Sequence, residues 1–325
     1  MTKETNLKYT SALRVSLVLL FLTWGSLRQA RADNIAPPYA GQYALLELGS
    51  VPGVPGPYGG LTLLAASPNE LLIGGNANNG SGAIYEIGVT RDAHNNITGF
   101  VGTASLYSTA PDIDGGLAYG PGGVLFYTAY PINTIGEIKL GDSTPDKLVS
   151  LTGLVASSVG SLNFVPVGQP GAGDFKIASY NGGGFYNATL SPDGSGTYNI
   201  TSATLQSTPG GGPEGFIYVP TGSADFSIPS LLIAQYSLGK VEACQSDADG
   251  NPVVATCQDF VQGLSGAEGG FVDPLSGDFL FSTFGGGNKV VEVQGFAPLS
   301  TPEPGSASLF GIALGGLVIL FRRLA

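Results

Sequence analysis

The stretch "EGGFVDPLSGDFLFSTFGGGNKVVEV", residues 268–293, packs three short strand-like runs into 26 positions, divided by "DPLSG" and "GGGN". Aromatic and β-branched runs bounded by Gly, Pro, Asn and Asp are how strands joined by tight turns are written. The same order recurs four times upstream. The opening, glycine-led strand appears as "YGGLTLLAASP", "DGGLAYGPGG", "VGSLNFVPVG" and "PEGFIYVPTG". A second strand follows as "ELLIGG", "VLFYTAY", "FKIASYNGG" and "LLIAQYSLG", and a third as "AIYEI", "IGEIKL", "FYNATL" and "KVEACQ". The polar residue of the third strand falls at Glu86, Glu137, Asn187, Glu242 and Glu292, separated by 51, 50, 55 and 50 residues.

A period of about 50 residues with three or four strands per unit is what a β-propeller blade requires. Outer strands close four units, as "TASLYS", "KLVSLTG", "SATLQS" and "CQDFVQG". The last unit lacks one, and "QYALLELGS" (42–50) stands unclaimed ahead of the first. An N-terminal strand that completes the last blade closes the ring and hides its open edges. The expectation is an all-β, five-bladed propeller over residues 33–297 with four strands per blade; six blades follow if two units have been merged.

Both ends differ from this body. Lys3, Lys8 and Arg14, an apolar run from Val15 to Leu22 and Ala30-Arg31-Ala32 give the order of a secretory signal peptide, cut after Ala32; an uncleaved anchor is the alternative. Residues 298–325 hold Pro302-Glu303-Pro304, about 15 apolar residues expected to form a short helix, and Arg322-Arg323. That helix is shorter than the roughly 20 residues of a durable membrane span. The arginine pair would hold its end on the cytoplasmic side. The three parts, in this order, resemble the PEP-CTERM sorting signal of Gram-negative bacteria. The resemblance covers about the last 25 residues. It implies an exosortase as processing partner at the inner membrane and release to the cell surface or an exopolysaccharide matrix.

Charge narrows the function. Residues 33–301 carry 22 of the 24 acidic side chains but six of the 13 basic ones, a net charge near −16 with His94 neutral. Such a surface repels phosphate backbones, which excludes nucleic acid as a partner. Neutral sugars and cations remain open. Cys244 and Cys257 flank a turn at Asp249–Pro252, so a hairpin there brings them within disulfide reach in an exported protein. Asp247, Asp249 and Asn251 have the first three spacings of a calcium loop, without its later glutamate. No Gly-x-Ser-x-Gly elbow or phosphate loop is present, and the single histidine lies in a turn.

Propeller ligands bind where loops enter the innermost strands. Those approaches carry Asp112, Asp114, Glu214 and Glu268. Carboxylates converging on the axis repel one another unless a cation or shared protons offset the charge. The expectation is one hard cation, such as Ca²⁺, held by Asp114, Glu214 and Glu268; solvated loop acids with no ligand are the alternative. The Glu-Gly before an inner strand resembles the metal-binding glutamate of calcium-dependent lactonase propellers, in that element alone. Tyr58, Tyr130, Tyr180, Tyr236 and Phe284 are candidate sugar-stacking aromatics. The third-strand glutamates are expected at a wet edge. Together these describe an exported, non-catalytic binding or structural propeller with polysaccharide as a candidate partner. The alternative is a metal-dependent lactonase-like or glycoside hydrolase. An enzyme would gather several acids within hydrogen-bond reach in one pocket, whereas a scaffold would scatter them.

Overall fold

The computed structural model describes residues 33–299 apart from Ala66, and in them 21 strands and four short 3-10 turns with no α-helix. The signal segment and the tail, with Pro302, Glu303, Pro304, the apolar helix and Arg322–Arg323, lie outside the described residues. Among the described residues no helix is long and apolar enough to cross a membrane.

The strands form five antiparallel sheets, and each unit of the repeat is one blade. Blade 1 runs, from the axis outward, through Tyr58–Leu64, Ser67–Gly75, Ala83–Arg91 and Ile97–Thr109. Blade 2 consists of Ile113–Tyr119, Leu125–Ala129, Thr134–Ile138 and Lys147–Ser150. Blade 3 consists of Val159–Phe164, Phe175–Ser179, Phe185–Pro192 and Tyr198–Ser207. Pro213–Tyr218, Ser230–Gln235, Lys240–Gln245 and Gln258–Gln262 form blade 4. Blade 5 has Ala267–Val272, Phe279–Thr283 and Val290–Gln294.

The missing outer strand of blade 5 is Ala44–Gly49, which pairs with Val290–Gln294 and sets Leu46 opposite Glu292. The ring therefore closes as the repeat predicts. Just before it, Asn34–Ile35 adds a fifth strand to the edge of blade 4. Tyr39 stacks on Phe226 at 5.4 Å and Tyr43 meets Phe296 at 4.4 Å, so aromatic contacts fasten the chain's entry to blades 4 and 5.

Alternation along the strands explains the core. One apolar cluster fills each of the five blade interfaces. Ile84 and Ile138 meet between blades 1 and 2, Ile87 faces blade 5, and Val241 and Val293 meet between blades 4 and 5. Each fully buried Leu, Ile or Phe adds about 2 kcal/mol of transfer free energy, and the interfaces hold dozens.

Two expectations need correction. Glu137 and Glu292 are fully buried, not at a wet edge. Glu137 Oε2 accepts the Tyr198 N–H and Glu292 Oε1 the Ile97 N–H, both at 2.8 Å. Each stitches a blade to the start of its neighbour's outer strand, because that strand enters with an amide that has no sheet partner. Tyr58 is also buried, its hydroxyl accepting the Val51 N–H at 2.8 Å, so it is not a loop aromatic.

Candidate functional site

Every innermost strand has a register break at its start: Tyr58/Leu61, Ile113/Leu117, Val159/Ser161, Pro213/Gly215 and Ala267/Gly270. A bulge re-aims the side chains beside it. In each blade the residue that opens the break pairs with the last residue of the second strand: Gly75, Ala129, Ser179, Gln235 or Thr283. One step on along the inner strand come five equivalent positions, Gly59, Asp114, Gly160, Glu214 and Glu268. One step beyond the second strand come another five, Asn76, Tyr130, Tyr180, Tyr236 and Phe284.

The first set makes a nest of acids. Asp114, Glu214 and Glu268 converge with one carboxylate oxygen from each, all within 4.8 Å of one another. Their exposures are 1%, 4% and 1%. Below them the glycine backbones pinch the axis shut: a Cβ on Gly269 would lie 2.5 Å from the Gly115 carbonyl oxygen, across the ring. Asp112, also a candidate, stays in a tight turn, where its carbonyl oxygen accepts the Tyr130 N–H.

The second set makes a collar above the nest. Successive rings meet edge to face, Tyr130–Tyr180 at 6.0 Å, Tyr180–Tyr236 at 5.7 Å and Tyr236–Phe284 at 5.9 Å. All four are half-buried. Together with Asn78, Glu214 and Glu268 they line a cavity of about 220 Å³. A larger hollow of about 390 Å³ lies on the flank of blade 4, but Asp225 is its one ionisable group.

Charge at the nest is uncompensated. Both oxygens of Asp114, Oε2 of Glu214, Oε1 of Glu268 and the amide Oδ1 of Asn78 are shut off from solvent without a well-aligned hydrogen bond, although the Asn78 side chain and the Gly115 amide lie near enough to Asp114 to favour its charged form. The six basic side chains of the body all pair elsewhere: Arg91 with Asp273, Lys139 with Asp146, Lys147 with Asp193, Lys176 with Asp174, Lys240 with Glu242 and Asp259, and Lys289 with Asp33 and Glu47. Burial pushes the Asp114 carboxyl well above its usual range. Glu214 is raised by burial and by repulsion from Asp114 and Glu268, and Glu268 by burial and by Asp114. Burial and then the field of Glu268 raise the Tyr236 phenol. Two unit charges at such a separation repel by about 3 kcal/mol at an effective dielectric near 20, so three bare carboxylates do not coexist there without protons or a cation.

Asn78 is the member the sequence did not single out; its left-handed backbone (φ 58°) places it at the cavity. Other candidates resolve differently. Cys244 and Cys257 are joined in a disulfide. Asp247, Asp249 and Asn251 do not await calcium: Asp247 Oδ1 accepts the amides of Asp249 and Asn251, and buried Lys176 places its ammonium on the Asp249 carbonyl (2.8 Å) and Asn251 Oδ1 (3.0 Å). His94 is exposed on a blade 1 turn, near Asp92.

No family model matches this chain, and no curated protein matches its sequence. Solved structures do resemble it. A candidate gluconolactonase aligns over 83% of this chain and 100% of its own, with 9% identity and a TM-score of 0.45. An auxiliary nutrient binding protein from Bacteroides ovatus aligns over 78% and 77%, with 11% identity and a TM-score of 0.41. A candidate phosphatase from Bacteroides thetaiotaomicron gives 11% identity and a TM-score of 0.42 over 73% of this chain, which spans 60% of that protein's length. At these values no residue role passes from them to this chain.

Proposed function

We propose that this chain is an exported binding propeller whose axial cup holds one hard divalent cation, Ca²⁺ foremost, through Asp114, Glu214 and Glu268 with the Asn78 amide oxygen. One observation carries the reading: buried carboxylate oxygens converge from three blades with no basic side chain to balance them. An all-oxygen, carboxylate-rich set suits a hard ion rather than zinc or copper. The signal segment and the sorting tail would deliver the body to the cell surface or a polysaccharide matrix, with an exosortase as processing partner.

A purely structural role is disfavoured, because the acids are gathered and not scattered. The same gathering supports a second reading, a metal-dependent hydrolase of lactones or glycosides acting through ion-bound water. Binding is preferred because the cavity offers tyrosines, a phenylalanine and an amide around the nest, and no base beyond the nest itself. The test is a thermal-melt series on the full chain with EDTA or calcium. Calcium should raise Tm, and Glu214→Gln and Glu268→Gln should abolish the rise. A melt indifferent to millimolar calcium would remove the cation site. Turnover of a lactone or glycoside panel by the calcium-loaded chain would favour the hydrolase.

A further inference from the structure

The collar is not uniform. Blades 2 to 5 each contribute a ring, but the fifth position, on blade 1, is Asn76. Its Nδ2 donates to Ser81 Oγ at 2.6 Å, and Asn79 Oδ1 accepts from the same hydroxyl at 2.8 Å. The wall above the nest is therefore aromatic on four blades, and on blade 1 it is the Asn78 amide that lines the cavity. An unbroken aromatic cage would serve a symmetrical organic cation. This wall matches a ligand with one apolar face and one hydroxylated edge.

The floor requires the same thing. Three carboxylates and an amide would not fill the six to eight oxygen positions that Ca²⁺ takes unless the carboxylates chelated, and the cavity that Glu214, Glu268 and Asn78 line leaves room for further oxygens to reach it. Oxygens entering from the cavity complete its shell. A cavity of about 220 Å³ is below the size that takes a drug-sized ligand, so it admits one small ring and not a chain.

Resting on the cation reading above, we propose that the cup binds a single sugar residue, whose vicinal hydroxyls complete the shell of the ion while its C–H face lies on the collar tyrosines. A bound glycan would insert a terminal or branch residue, leaving the rest outside the collar. The protein thus recognises a chain end.

Calorimetric titration of the full chain decides this. Calcium affinity is measured alone and with saturating methyl glycosides of glucose, galactose, mannose and fucose, and with tetramethylammonium as a probe for the organic cation. At least one glycoside should tighten calcium binding fivefold or more, and calcium should tighten that glycoside by the same factor, because coupling between two ligands is reciprocal. Tyr180→Leu and Tyr236→Leu should lose the glycoside while keeping calcium affinity; Tyr180→Phe, which retains the ring, should keep both. Calcium binding that no glycoside alters overturns the sugar proposal and leaves the cation reading standing. Tetramethylammonium that displaces calcium overturns it in favour of an organic cation. Absence of calcium binding removes the cation reading itself, and the sugar proposal with it.

Discussion

Gly160 leaves the room that the Glu214 carboxylate occupies. A Cβ on Gly160 would lie 2.6 Å from Glu214 Oε2 and 2.4 Å from the Pro213 carbonyl oxygen. The two residues hold the same position in adjacent blades, so blade 3 forgoes a side chain where blade 4 uses one. Gly160→Ala should therefore cost about 1–3 kcal/mol of stability, as overpacking does. It should also weaken calcium binding tenfold or more by pushing Glu214 off the axis. Denaturant melts and a calcium titration of the variant check both; unchanged calcium affinity would show that Glu214 does not need that space.

The buried stitches between blades carry a pH signature. Burial raises Glu137 and Glu292 to about 7 in the folded chain, above the usual 4.5. A raised folded-state value means that the native protein binds the proton more tightly than the unfolded one. The contribution is full below about pH 4.5 and is lost as pH climbs through 7. Chemical denaturation between pH 5 and 7.5 should show stability falling, by on the order of 1–2 kcal/mol per group. Glu292→Gln and Glu137→Gln should each flatten the slope relative to the parent. A parallel slope in both variants would place the titration elsewhere.

Lys176 acts as a built-in cation for the turn at 247–251. It is fully buried and is held by the Asp249 carbonyl, Asn251 Oδ1 and Asp174 Oδ2. Lys176→Met should destabilise the chain by about 2–3 kcal/mol, since it strips buried oxygens of their donor. Thermal melting reads the loss, and calcium should raise Tm by the same amount in variant and parent, leaving the deficit of the variant unrepaired.

The disulfide closes a loop of 13 residues in blade 4. Cross-links over loops of this size contribute about 3 kcal/mol, chiefly by restricting the unfolded chain. Cys257→Ser should lower the denaturation midpoint by a matching amount, and a reducing agent should lower the parent's midpoint to a similar value. A midpoint insensitive to reduction would mean that the hairpin holds its register without the bond.

The blade count was legible because Glu86, Glu137, Asn187, Glu242 and Glu292 mark one strand in every unit, and local alternation writes a strand wherever it falls. The nest was legible for a similar reason: Asp114, Glu214 and Glu268 each precede the glycine of an inner strand. What remained hidden depends on partners distant in sequence. Glu137 reads like Glu86 until the Tyr198 amide arrives from the next blade. Asn78 reads as one asparagine among several in a turn, and Gly160 as one more turn former. Tyr58 is indistinguishable from the collar tyrosines until its hydroxyl is found on Val51.

The closure of blade 5 has a consequence in time. Leu46 and Glu292 face each other across the seam, 246 positions apart. Blades 1 to 4 draw their four strands from local sequence, while the seam must wait until nearly the whole body is available. The entropy of closing so long a loop grows only slowly with length, so the delay costs little free energy, but it sets the order of events. A chain emerging from its N-terminal end would hold Ala44–Gly49 as an orphan strand until Val290–Gln294 followed. Glu268 belongs to the same last blade, and so the carboxylate nest, like the ring, is completed only when the end of the body has folded.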